Sequence, residues 1–338
     1  MPAMEKPKTI SGTKRGAVRP AFAIADSSVK PGTLKRFEIP VARVPSGMWL
    51  SLPIVVQHGA RPGPTLWLSA AVHGDELNGI PIIRELIERL DPRALAGTVI
   101  AVPVVNVFGI IMESRYLPDR RDLNRSFPGS PKGSLAAQIA HLFMTHVVER
   151  CEYGIDYHTG SDGRTNLPQI RCDLDSDEIR ELALAFGAPV ALHAGVRKGS
   201  LRGAAAARGR KVLLYEAGEA RRFHRKAIQT GVNGTLRVLQ HLGMIDVDIP
   251  APASPSLVSR SSFWVRARRS GLCRMRAALG DRVEAGQQIA TVIDTIGRKA
   301  SPVRSRASGL LIGHLNQAIV NRGDAVAHMA ELEEPPGR

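Results

Sequence analysis

Apolar runs that stop abruptly at a polar tip recur along this chain. Thr65 to Val72 is largely apolar and is followed at once by His73-Gly74-Asp75-Glu76. Gly154-Ile-Asp-Tyr leads into His158-Thr159-Gly160, and Lys211-Val-Leu-Leu-Tyr leads into Glu216-Ala-Gly-Glu219. Short, nearly continuous runs of this kind, bounded by glycine, predict buried strands of an α/β sheet. Arg36 to Val41 and Trp49 to Val56 predict two earlier strands, separated by a turn at Pro45-Ser-Gly47. Between the strands the spacing changes to that of helices, over Gly79 to Leu90 and Leu135 to Glu149. The second of these puts Leu135, Ile139, Leu142, Phe143 and Val147 on one face, so His141 and His146 read as packing or surface residues. His58, on a turn-like segment rich in glycine and proline, is expected to face solvent.

The polar tips carry the candidate chemistry. His73-x-x-Glu76 places an imidazole and a carboxylate on one tight turn, and His158 supplies a second imidazole at another strand end. In open α/β sheets ligands bind outside the carboxyl ends of the strands, so the two ends describe one site. Zinc takes nitrogen and oxygen donors, and a hydrolytic zinc site uses three protein ligands and leaves a fourth position for water. Glu216, unligated at a third strand end, then reads as general base and later general acid. The loop from Ser114 to Gly129 is dense in arginine and broken by proline and glycine, which predicts an anion-binding loop rather than a charged helix face.

In their order, His73-x-x-Glu76, Arg115, Asp122-Leu-Asn124-Arg125, His158 and Glu216 resemble the succinylglutamate desuccinylase and aspartoacylase family, part of the zinc carboxypeptidase-like superfamily. The resemblance spans about Pro64 to Gly218. It implies one zinc ion per chain held by His73, Glu76 and His158, with Glu216 as base and Arg115 beside the scissile carbonyl. It implies that Asn124 and Arg125 hold the carboxylate of a substrate, with Arg171 as a further substrate contact. The expected fold is a zinc carboxypeptidase-like mixed sheet flanked by helices.

The stretch from Asp246 to Ser256 is rich in proline and serine, and the chain beyond it repeats itself. Gly271-Leu272 leads to Val283-x-x-Gly286, and Gly309-Leu310 leads to Val320-x-x-Gly323, which predicts two related β-halves in a small all-β barrel-sandwich. Gly280 to Ala290 is similar to lipoyl and biotinyl carrier domains. Lys299 stands where a carrier would be modified, but its setting lacks the flanking residues of either modification. The expected role is to shape the active-site mouth or to make a homo-oligomer contact. The domain plan is therefore a basic, flexible segment over 1–30, a catalytic domain over 31–248, a linker over 249–260 and a β-rich accessory domain over 261–334.

Charge and composition alter this picture little. The formal net charge of +15 favours encounter with acidic substrates, and its scattered basic residues match no nucleic-acid-binding motif. Met1 to Arg19 is basic and polar without an apolar h-region, no run is long enough to span a membrane, and Cys151, Cys172 and Cys273 show no pairing pattern, which points to the cytoplasm. The lack of a Gly-x-Ser-x-Gly elbow argues against a serine nucleophile. The expected activity is removal of a short acyl group from a small anionic N-acyl amino acid. A carboxypeptidase trimming a C-terminal residue from a short peptide, and a catalytically silent metal-binding protein, stay open as alternatives.

Overall fold

The computed structural model describes residues 19–161, 163–297 and 299–331. A short hairpin of β1 (Phe22–Ile24) and β2 (Ser27–Val29) precedes β3 (Thr33–Arg43), β4 (Trp49–His58) and β5 (Arg61–Ala70). Helix α1 (Gly79–Arg89), β6 (Ala96–Val102), α2 (Val107–Ile111) and α3 (Leu135–His146) come after them. Next are β7 (Tyr153–Gly160), β8 (Arg164–Cys172), α4 (Asp177–Phe186), β9 (Val190–His193), α5 (Leu201–Ala206), β10 (Lys211–Glu219) and α6 (Arg225–His241). The C-terminal part is all strand: β11 (Leu257–Ser259), β12 (Ser262–Arg266), β13 (Gly271–Met275), β14 (Arg282–Val283), β15 (Gln288–Ile293), β16 (Ala300–Arg304), β17 (Gly309–Leu315), β18 (Ile319–Val320) and β19 (Ala325–Glu331).

The centre of the large sheet is parallel, in the order β10-β7-β5-β6. This explains the nearly continuous apolar runs, because a parallel strand covered on both faces has no solvent side to alternate towards. One face is covered by α1, α4 and α6, which bury Ile82, Leu86, Phe186 and Leu239 against Leu66, Leu68 and Tyr157. The other carries α3 and α5, whose Ile139, Phe143 and Leu201 pack with Trp67, Ile54 and Val212. The helix that begins at Leu135 stops at His146 and gives way to a 3-10 turn over Val148–Arg150, three residues before the expected end.

Two boundaries differ from the sequence expectation. Residues 1–18 of the segment expected to be flexible lie outside the described residues, but 19–30 are folded. Ile24 and Val29 reach the core from the hairpin, and the Arg19 guanidinium donates to the carbonyls of Gly59 and Gly97. His58 is buried there rather than solvent-facing: Nδ1 lies 2.8 Å from Thr98 Oγ1 and Nε2 lies 2.9 Å from the Pro20 carbonyl. In the expected linker, Leu257–Ser259 pairs in parallel with β9, because Leu257 and Val258 bring apolar side chains to a sheet edge.

The C-terminal halves interlock as their repeat suggests. Val283 of the first half pairs opposite Gly309 of the second, and Val320 of the second pairs opposite Gly271 of the first. Their shared core includes Val265, Ile289, Leu311 and Val326. This unit does not hang from the catalytic part by a linker alone. The outer edge of β8 is divided, with residues 169–172 pairing to β9 and residues 164–166 pairing to β17, so one sheet runs through both parts. A small apolar cluster of Val190, Leu192, Leu310, Ile312 and Ala330 seals the junction. Among the described residues no helix is long and apolar enough to cross a membrane.

A chain truncated after Ser256 would leave half of the β8 edge unpaired and Leu192 without its cover. Such a fragment is expected to lose its cooperative thermal transition and to aggregate. A soluble fragment with an unchanged melting temperature would show that the two parts fold independently.

Candidate active site

The parallel strands deliver their polar ends to one place. Beyond Ala70 the chain leaves β5 through Ala71, a non-glycine residue at φ +50°, and turns back over His73 to Glu76. Gly74 is required in that turn: a Cβ there would lie 1.9 Å from the backbone carbon of Gly109, so α2 and the His73 loop touch backbone to backbone. On the neighbouring strands, His158 pairs opposite Glu216. The site thus takes His73 and Glu76 from the β5 loop, His158 from β7 and Glu216 from β10.

His73, Glu76 and His158 converge, with one donor atom from each lying within 4.8 Å of the others. Glu76 is at the centre and only 2 % exposed. Its Oε1 lies 2.7 Å from His73 Nδ1, its Oε2 lies 2.8 Å from His158 Nδ1, and Oε2 also accepts the Thr159 amide at 3.1 Å. The outward nitrogens are held as well. His158 Nε2 is 2.8 Å from Asp156 Oδ2, whose other oxygen accepts from Ser69 Oγ at 2.8 Å. His73 Nε2 is 3.2 Å from Asp122 Oδ1, and the Arg115 guanidinium donates to Asp122 Oδ2 at 2.9 Å. Carboxylates behind imidazoles fix ring orientation and raise ligand basicity, an arrangement recurrent around bound metals. Asp122 stands in the motif read from sequence but was given no role there, and Asp156 was not singled out, although it carries a signal: it has the same strand parity as His158, inside an apolar run.

Electrostatics describe the same site. Burial alone would push the Glu76 carboxyl up, but His73 and His158 outweigh it and hold the group well below the usual carboxylate range. Burial would likewise lower both histidines, yet Asp156 and Glu76 raise His158, and Glu76 and Asp122 raise His73. The surroundings of the buried carboxylate therefore favour positive charge, which protons on the imidazoles can supply. A divalent cation supplies that positive charge in place of the protons, and two nitrogens with one carboxylate form a donor set that zinc accepts. The residues therefore fit a metal ion.

Glu216 faces the same cavity, of about 700 Å³. The register between β10 and β8 slips between Glu216 and Gly218, and irregularities of this kind re-aim side chains beside active sites. Across the slip, Asn166 Nδ2 donates to Glu216 Oε2 at 2.6 Å, while Arg171 Nη1 reaches Oε1 at 3.1 Å. Arg171, expected on the substrate, is thus engaged with the expected base. Arg115 Nη1 stands 3.4 Å from Glu76 Oε1, at the edge of the donor group. Asn124 sits in a 3-10 turn capped by Asp122, and its Oδ1 is already used by the Leu201 amide at 2.8 Å. Arg125 is exposed on the cavity wall, its Nη1 resting 2.6 Å from the Asn124 carbonyl.

The far wall comes from the C-terminal unit, where sequence assigned no chemistry to His328. A single rung crosses five strands: Gly218 of β10, Asn166 of β8, Gly313 of β17, His328 of β19 and Trp264 of β12. Trp264 and His328 stack with ring centroids 4.2 Å apart and both line the cavity. His328 Nε2 is 3.0 Å from Ser262 Oγ, and burial, then Arg171 and Arg197, push the imidazole down to about 3. The wall is rich in cations: Arg164, Arg197, Arg202 and Arg266 join Arg115, Arg125 and Arg171, against the carboxylates of Glu76, Glu216 and Asp324.

Comparison with known proteins places the fold and the family. The succinylglutamate desuccinylase/aspartoacylase catalytic domain matches residues 62–242. The N-alpha-acetyl-L-2,4-diaminobutyric acid deacetylase of Halomonas elongata is 31 % identical, with 99 % of each chain covered. Among solved structures, a succinylglutamate desuccinylase/aspartoacylase from Rhodobacter sphaeroides superposes with a TM-score of 0.78 at 27 % identity, covering 88 % of this chain and 96 % of its own. The product-bound ectoine utilization protein EutE (DoeB) from Ruegeria pomeroyi shares the fold, with a TM-score of 0.81 at 23 % identity over 95 % of this chain and 100 % of its own.

Two outcomes are expected from these contacts. Asp156→Asn or Asp122→Asn should weaken zinc binding about 10- to 100-fold, read by competition with a chromophoric chelator; unchanged affinity would remove their orienting role. Folded His328 stays neutral while the unfolded chain takes up a proton below about pH 6.5, so its contribution is present above that pH and is lost as pH falls towards 3. Urea denaturation between pH 6.5 and 4 should show wild type losing up to about 1.4 kcal/mol per pH unit more than His328→Phe. Parallel curves would count against it.

Proposed function

The chain belongs to the succinylglutamate desuccinylase/aspartoacylase family, and on that premise we propose that it is a zinc-dependent amidohydrolase that removes a short acyl group from an N-acyl amino acid. The observation that carries this reading is the convergence of His73, Glu76 and His158 in a cavity that also receives Glu216 and a wall of arginines. His73, Glu76 and His158 would hold the metal. When bound, zinc supplies Lewis-acid polarisation of a carbonyl and makes water more acidic.

The chain's own groups account for the rest of the reaction. Water adds to the acyl carbon as Glu216 accepts its proton, the C–N bond breaks, and Glu216 returns the proton to the departing amine. The products are a short carboxylate and a free amino acid. Arg115 stands beside the donor group, where a guanidinium can offset negative charge developing on the carbonyl oxygen. Arg125, with the free amide nitrogen of Asn124, can fork onto the substrate carboxylate. Arg171 already neutralises Glu216 and supports the base as well as any bound anion. Three free cysteines suit the reducing cytoplasm we propose for it.

The relative that spans the whole chain is a deacetylase of N-acetyl-2,4-diaminobutyrate, so that compound is the first substrate to test. Its side-chain ammonium would need a carboxylate, and Asp324 is the wall residue available beyond Glu76 and Glu216. The seven arginines of the wall favour a second reading, an N-acyl amino acid with an additional carboxylate.

Amine release should be measured with zinc-loaded protein on N-acetyl-2,4-diaminobutyrate, N-acetyl-aspartate, N-succinyl-glutamate and short peptides. We expect deacylation of at least one acyl amino acid, loss of activity with chelator, and a fall of at least about 10³-fold in Glu216→Gln, the loss of a general base. Cleavage confined to peptides would replace the deacylase with a peptidase.

A further inference from the structure

Gly313 belongs to the C-terminal β unit and touches none of the groups assigned to chemistry, yet it sits opposite Asn166 in the β17–β8 register. A Cβ on Gly313 would fall 2.6 Å from Asn166 Oδ1; its next neighbours are the Thr165 carbonyl at 3.4 Å and His328 Cβ at 3.5 Å. The space that a side chain would take is therefore occupied by the amide of Asn166. From that position Asn166 Nδ2 makes its 2.6 Å bond to Glu216 Oε2. A neutral donor at that oxygen, with Arg171 on the other, fixes both oxygens of the carboxylate.

We propose that Gly313 is a positioning residue for Glu216, acting through Asn166, so that the C-terminal unit sets the aim of the base. This rests on the reading of Glu216 as the base. The missing side chain at 313 leaves the Asn166 amide one place to lie, and the β17–β8 pairing holds that place in register. Because the clash introduced at 313 is with the far end of a flexible side chain, Gly313→Ala should turn the amide away and leave the backbone pairing intact.

A crystal structure of Gly313→Ala reads the first step without any substrate. The expected result is an unchanged fold with Asn166 Nδ2 beyond hydrogen-bond reach of Glu216; retention of that bond would overturn the proposal. In zinc-loaded protein, Gly313→Ala should lower kcat by roughly 10- to 100-fold, the factor carried by one hydrogen bond to a charged group, with KM and zinc content unchanged. Asn166→Ala should lower kcat by a similar factor, and adding Gly313→Ala to it should cost nothing more. A further loss in the double variant, or an effect on KM or zinc content instead of kcat, would assign Gly313 a merely structural role and overturn the proposal. If Gly313→Ala does not fold, a wild-type kcat in Asn166→Ala overturns it equally. Activity retained by Glu216→Gln would instead defeat the underlying reading of the base, which keeps the two failures distinct.

Discussion

Glu76 carries a negative charge to a place that water hardly reaches, and a carboxylate in that position is costly unless its charge is shared. His73 and His158 share it from two sides, and each in turn leans on a second carboxylate behind it. Much of the local architecture stems from this demand. The β5 loop needs Gly74 to pass against the backbone of α2, β7 carries Asp156 two residues before His158, and the arginine loop is tied to the site through Asp122. The same alternation of charge suits a divalent cation, which takes the place of protons on the imidazoles it binds.

The second organising feature is the divided edge of β8. By pairing with β9 along one half and with β17 along the other, this strand joins the catalytic sheet to the C-terminal unit, so that unit cannot be regarded as an appendage. The rung from Gly218 to Trp264 shows the result. Side chains from distant parts of the chain reach one cavity because the pleat puts them in a line.

Much of this was legible in the sequence, and the limits have physical causes. His73, Glu76, His158 and Glu216 could be read because each comes after an apolar run whose length marks a buried parallel strand, and the end of such a strand is a place for ligands. The Val–Gly spacing of the C-terminal repeat corresponds to reciprocal pairing of its halves. Asp122 was read only as part of a motif and Asp156 passed unnoticed, because both stand behind the imidazoles, one as a turn cap and one inside a strand. Trp264, His328 and Gly313 were beyond reach for another reason. Their roles depend on which strand lies beside which, and register between distant strands leaves no local trace. His58 misled because a turn-like composition was taken to mean exposure, whereas the N-terminal hairpin covers it.

The divided edge also imposes an order of events during synthesis. Residues 164–166 emerge long before residues 313–315, with which they must pair, and at ribosomal rates the interval is on the order of ten seconds. Through that time half of a strand edge waits exposed, and Glu216 has His73, Glu76 and His158 nearby but lacks the far wall. Contacts so distant along the chain form late. A newly made molecule therefore completes its cavity wall only as its last strands dock, and a chain released early carries His73, Glu76, His158 and Glu216 without that wall.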